Sequence, residues 1–172
     1  LLGFISSDNL TAKNIRSYTK TLGICPGSEE IYLALRGLPT LELRIKEIEK
    51  NALNLAIKLT KEKKIKKVFH PALKSHKNYK IWKRDFSGSS GLFSFELRKK
   101  YSDSMLEKFY KKLKLFKIGY SWGGFESLIT FPTIYNRKYK EIIKGSLVRI
   151  YCGLENSEDQ INDITEALKV LR

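Results

Sequence analysis

Cysteine, histidine and methionine are scarce in this chain of 172 residues, and acids are outnumbered by bases. Its two cysteines, Cys25 and Cys152, cannot supply the multiple cross-links of a small secreted scaffold, so two free thiols are expected. The two histidines, His70 and His76, lack cysteine partners at metal-ligand spacing, which argues against zinc. His70, directly before Pro71, reads as the close of a strand. Neither GxGxxG nor GxxxxGK followed by Ser or Thr occurs, so a nucleotide fingerprint is lacking. No apolar stretch approaches the roughly 20 residues needed to cross a bilayer. The first residues carry no basic stretch of the signal-peptide kind. A cytoplasmic chain with no membrane partner is the expectation. Its opening, Leu1-Leu2-Gly3-Phe4-Ile5, reads as the interior of a longer sequence.

What is abundant is lysine. The 33 basic residues against 18 acidic ones leave a net charge of +15. Such a charge suits an anionic partner. Only 8 of the cations are arginine, the residue that base readout and bidentate phosphate clamps favour. The densest group, Lys58, Lys61, Lys63, Lys64, Lys66 and Lys67, follows a long helical pattern, where cations suit the negative end of the helix dipole. A solvated lysine-rich surface is therefore expected, with no nucleic-acid partner; a basic nucleic-acid-binding module stands as the alternative.

Hydrophobic spacing sets the order of elements. Residues 1–7 read as a strand, and Asp8 or Asn9 can cap a helix to about Leu22. Gly23, Pro26 and Gly27 break the chain. Ser28-Glu29-Glu30 opens a second helix toward Gly37. Pro39 starts a long third helix whose apolar stripe is Leu41, Ile45, Ile48, Ala52, Leu55, Ala56 and Leu59. Strands are expected at 65–70, 92–97, 115–119, 128–131 and 147–151. Helices are expected at 75–84 and 102–113, with a last one capped by Ser157. The pattern gives an α/β domain with a small mixed or antiparallel sheet covered by helices on one face. The first segment reads as the end of a preceding domain.

Two segments could carry chemistry. In Tyr120-Ser121-Trp122-Gly123-Gly124-Phe125-Glu126-Ser127-Leu128, paired glycines allow close backbone approach. Ser121 offers a hydroxyl there, and Trp122 can wall a small site. The same segment also reads as an ordinary tight turn. In Gly145-Ser146-Leu147-Val148-Arg149-Ile150-Tyr151-Cys152-Gly153-Leu154-Glu155, Arg149 stands mid-strand between apolar neighbours. A guanidinium there needs an anionic partner if it is buried. The partner is either internal, Glu126 or Glu155, or a ligand carboxylate held bidentately.

Together with Leu35-Arg36-Gly37-Leu38-Pro39-Thr40-Leu41-Glu42-Leu43-Arg44 and Trp82-Lys83-Arg84-Asp85-Phe86-Ser87-Gly88-Ser89-Ser90-Gly91-Leu92-Phe93-Ser94-Phe95, these segments resemble the Cys/Met-metabolism family of fold-type I enzymes dependent on pyridoxal phosphate (PLP). The resemblance runs along essentially the whole chain. Ser121-Trp122-Gly123-Gly124 is similar to the carbon–sulfur β-lyase branch, since γ-lyases and γ-synthases usually carry Leu where Trp122 stands. The resemblance implies the C-terminal portion of such a lyase. Residues 1–38 would close the cofactor-binding domain, and 39–172 would form the substrate-carboxylate domain. Arg149 would grip the substrate α-carboxylate, with Ser121, Trp122 and Tyr120 lining that end of the pocket. The implied reaction converts L-cystathionine to homocysteine, pyruvate and ammonia, with PLP as the electron sink.

The family's Schiff-base lysine, in a Ser-x-Thr-Lys motif, belongs before the segment matching Leu2-Gly3-Phe4-Ile5. Ser17-Tyr18-Thr19-Lys20 has that spelling but falls inside an expected helix, so Lys20 does not match. The resemblance therefore implies a complementary N-terminal part as partner, with homo-oligomeric assembly. A non-catalytic remnant or another reaction of the family, a γ-lyase or γ-synthase, is the alternative.

Overall fold

The computed structural model describes residues 2–134 and 143–171. The chain divides into two compact units, Leu1–Leu43 and Arg44–Arg172.

The first unit holds helices α1 (Asn9–Thr21) and α2 (Ser28–Gly37) and a 3-10 turn over Leu38–Thr40. Asp8 caps α1, its carboxylate accepting from the Thr11 amide at 2.9 Å and the Thr11 hydroxyl at 2.7 Å. Neither helix buries a residue. The strand expected over residues 1–7 does not form. Residues 2–8 are irregular, and Phe4 and Ile5 are exposed. A strand needs a ladder partner, and no described strand pairs with this segment. Pro39 lies in the 3-10 turn, so helix α3 (Leu41–Leu59) starts two residues beyond the expected position.

The apolar stripe of α3 is divided. Leu41 is 39% and Ile45 46% exposed, whereas Ile48, Ala52, Leu55, Ala56 and Leu59 are buried. In the second unit follow strand β1 (Ile65–Phe69), helix α4 (Tyr79–Asp85), strand β2 (Leu92–Leu97), helix α5 (Asp103–Lys112), strands β3 (Lys117–Ile118), β4 (Leu128–Thr130) and β5 (Leu147–Tyr151), and helix α6 (Ser157–Leu168). α4 starts later than its polar sequence suggests. The preceding residues turn through short-range bonds: Leu73 N–H to His70 C=O, His76 N–H to Leu73 C=O and Tyr79 N–H to His76 C=O. α6 is capped by Asn156 rather than Ser157, because the Asn156 side-chain oxygen reaches the Glu158 and Asp159 amides at 2.9 and 3.3 Å.

The five strands form one mixed sheet in the order β1-β2-β5-β4-β3. All pairs are antiparallel except β3 with β4. β1 is an edge strand with a bulge between Ile65 and Lys67, and Lys66 and Lys67 are exposed on it. One sheet face, with Phe93, Phe95, Val148 and Ile150, packs into a single apolar core with α3, α5 and α6 through Leu55, Leu59, Phe109, Ile164 and Leu168. Alternation along the strands sends the intervening residues to the opposite face. There Ser94, Arg149 and Thr130 stand side by side in register on β2, β5 and β4.

Candidate functional site

Parallel pairing of β3 and β4 decides where the loop joining them runs. Lys117 pairs with Leu128 and Ile118 with Ile129 in the same direction. The chain must therefore return over a face of the sheet between these strands. The core face is filled by α3, α5 and α6. Residues 119–127 accordingly cross the other face, the one that carries Arg149. Topology alone thus brings the two segments together.

β5 and the residues after it hold this crossing loop at successive points. Arg149 Nη1 donates to the Tyr120 carbonyl at 2.9 Å. The Tyr151 hydroxyl donates to the Gly124 carbonyl at 2.8 Å, and its phenol pKa is raised, chiefly by burial. The Leu154 amide donates to the Phe125 carbonyl at 2.8 Å. Two glycines permit this. Gly123 adopts φ +89, a region that L side chains rarely enter. Gly153 passes so close to the Phe125 carbonyl oxygen that an added Cβ would collide with it.

The four expected site residues occupy different settings. Arg149 is half-buried on the central strand. Tyr120 meets it through its backbone carbonyl, while the Tyr120 side chain is 74% exposed. Ser121 and Trp122 follow directly and are both exposed, Trp122 at 64%. Neither expected internal acid reaches Arg149. Glu126 is exposed, and Glu155 is engaged elsewhere. Among the described residues Arg149 makes no ion pair. With one of its five N–H donors spent on Tyr120, the guanidinium keeps enough donors for a bidentate carboxylate.

Residues that sequence reading missed complete the site. The Glu155 carboxylate accepts from the Ser127 amide at 2.7 Å, the Ser127 hydroxyl at 2.8 Å and Gln160 Nε2 at 3.1 Å. Ser127 Oγ in turn accepts from the Gly153 amide at 2.9 Å and Gln160 Nε2 at 3.1 Å. Asn51 on α3 donates to the Gly153 and Glu155 carbonyls at 3.1 and 3.0 Å. The sequence signal available was Glu155 itself, one polar residue after Gly153-Leu154, but its partners lie on other elements.

The described residues do not by themselves make a PLP site. Every described lysine is exposed except the half-buried Lys64, whose Nζ donates to the Leu168 and Lys169 carbonyls. Lys20 is exposed on α1, so it has none of the desolvation that activates an imine-forming lysine.

A sequence model described as "Cys/Met metabolism PLP-dependent enzyme" matches residues 1–169. A curated relative, the L-alanine/L-glutamate racemase of Wolbachia pipientis, is 39% identical over 98% of this chain and 42% of its own length. The cystathionine beta-lyase of Escherichia coli is 37% identical over 88% of this chain and 40% of its own length. Among solved structures, apo methionine gamma lyase from Micromonospora echinospora superposes with a TM-score of 0.78 at 29% identity, covering 95% of this chain and 43% of that one. The chain therefore spans about two-fifths of the length of the proteins it matches.

Proposed function

This chain belongs to the Cys/Met metabolism PLP-dependent enzyme family, and on that premise we propose that it is the substrate-carboxylate-binding part of a carbon–sulfur β-lyase acting on L-cystathionine. The products are homocysteine, pyruvate and ammonia. Arg149 takes the α-carboxylate with its free N–H groups, the Tyr120 carbonyl fixes the orientation of the fork, and Ser121 and Trp122 wall the site. Holding the carboxylate at a fixed place sets the direction of the substrate's Cα–H bond, the positioning part of catalysis. The Schiff-base lysine and the rest of the PLP site come from a complementary N-terminal part. The assembled protein is a cytoplasmic homo-oligomer.

The observation that carries this reading is Arg149 on the central strand, oriented by a carbonyl and unmatched by any acid among the described residues. The named cystathionine beta-lyase relative and Trp122 favour the β-lyase reaction. A second reading draws on the 39% identity to a racemase. An α-carboxylate grip serves racemisation equally well, so the product decides between them.

The test mixes the chain with a separately purified N-terminal part carrying the lysine, then supplies PLP and substrate. Pyruvate and homocysteine released from L-cystathionine support the β-lyase reading. 2-Oxobutyrate in place of pyruvate points to a γ-lyase, and D-alanine formed from L-alanine points to a racemase. Arg149→Ala should raise KM at least tenfold, since it removes a charge-assisted pair of bonds. A well-folded mixture that releases no product from either substrate would sink the enzymatic reading and leave the remnant. Borohydride reduction of the isolated chain with PLP should label Lys20 no more than the other exposed lysines.

A further inference from the structure

We infer that Glu155 is a positioning residue for the Arg149 site, acting through Ser127 to seat the crossing loop and, at its far end, the Tyr120 carbonyl that orients the guanidinium. The inference rests on the reading of Arg149 as a carboxylate receptor.

Its basis is the direction of the hydrogen bonds. All three groups that meet the Glu155 carboxylate are donors: the Ser127 amide, the Ser127 hydroxyl and Gln160 Nε2. Ser127 is fully buried, and its hydroxyl oxygen already accepts from Gly153 and Gln160. Its single proton therefore has to go to Glu155. Two acceptor oxygens are needed, and only a carboxylate supplies both. An amide at 155 would set its own N–H donors against a donor on one side.

The cluster is also poorly built for stability alone. Asn51 Oδ1 and Gln160 Oε1 are buried without a partner among the described residues. Orphaned acceptors of this kind oppose folding. What the cluster achieves is placement. It ties the end of the loop at Ser127 to α3 through Asn51, to α6 through Gln160 and to the end of β5 through Gly153. Arg149 lies on that same β5 and holds the loop's beginning at Tyr120. The height of residues 121–126 above the sheet is fixed from both ends.

The test uses the chain in a Trp82→Phe background, so that Trp122 is the remaining tryptophan, and compares it with Glu155→Gln. Three quantities are read well below the melting temperature: Trp122 emission, the low-temperature NMR signal of Arg149 Nη1–H, and the affinity for added L-cystathionine. The expected result is a shifted Trp122 emission, faster exchange of Arg149 Nη1–H and at least tenfold weaker cystathionine binding. Ser127→Ala removes only the hydroxyl arm and should give a smaller change in the same direction. It also serves if Glu155→Gln does not fold. A lowered melting temperature with all three quantities unchanged overturns the inference and leaves Glu155 a stabilising residue only. If the parent chain binds no cystathionine, the carboxylate reading of Arg149 fails. The Trp122 and Arg149 signals then still decide whether Glu155 seats the loop: a shift in both upholds the seating, and no shift ends it.

Discussion

At Gly153 a hydrogen stands where any other residue would press a methyl group against the Phe125 carbonyl. Gly153→Ala should cost about 1–3 kcal/mol, the usual range for forcing volume into a packed place, read as a lower thermal midpoint. His70 carries a different consequence. It is buried, its Nδ1 accepts from the Ala72 amide at 3.2 Å, and burial pushes its pKa down to about 4 against an ordinary value of 6.5. The folded state thus holds the neutral imidazole. As pH falls from 6.5 toward 4, the unfolded chain binds a proton that the folded one does not, so stability is lost through that window, by up to roughly 3 kcal/mol. His70→Gln should show a correspondingly flatter dependence of melting temperature on pH between 7 and 4. A parallel slope in both proteins would contradict the assignment.

Helix α6 supports the connection between α5 and β3 through one side chain. The Asp163 carboxylate accepts from the Lys114, Leu115 and Phe116 amides at 2.7, 2.9 and 3.1 Å. Asp163→Ala leaves three amides without that acceptor and should destabilise by about 2–4 kcal/mol, with most of the loss at this connection. Denaturant unfolding measures the total, and amide exchange at Leu115 and Phe116 locates it. The elements that the sequence foretold best are those whose signals are local. α2 begins at Ser28 with Glu29 and Glu30 in its first turn and ends at Gly37. β5 alternates Val148 and Ile150 toward the core with Leu147 and Arg149 away from it. Residues 1–7 misled because an apolar run records only a wish to be covered; it does not name the partner. The front of α3 misled in the same way, since Leu41 and Ile45 continue a stripe that stays exposed. In the site, Arg149 was legible as a charge between apolar neighbours. The Glu155 cluster was not, because Asn51 lies 102 residues from Gly153 and such a separation leaves no period to read.

Across the whole molecule, stability should be unevenly spread. α1 and α2 bury nothing, while the core gathers around β2, β5, α3 and α6. Native-state hydrogen exchange should therefore find residues 9–37 weakly protected and the amides of β2 and β5 slowest, the latter approaching the global unfolding free energy. Uniform protection along the chain would contradict this division. The β1 edge adds a consequence for anyone who concentrates the protein. An unpaired strand offers its backbone to any passing copy, and here the guard is a bulge plus the positive charge of Lys67, Lys66 being paired with Glu96. Charge of that kind is a solvent property as much as a structural one. Screened by salt, the edge loses its electrostatic guard, and fibrillar, dye-binding aggregate should gather first in high-salt solution.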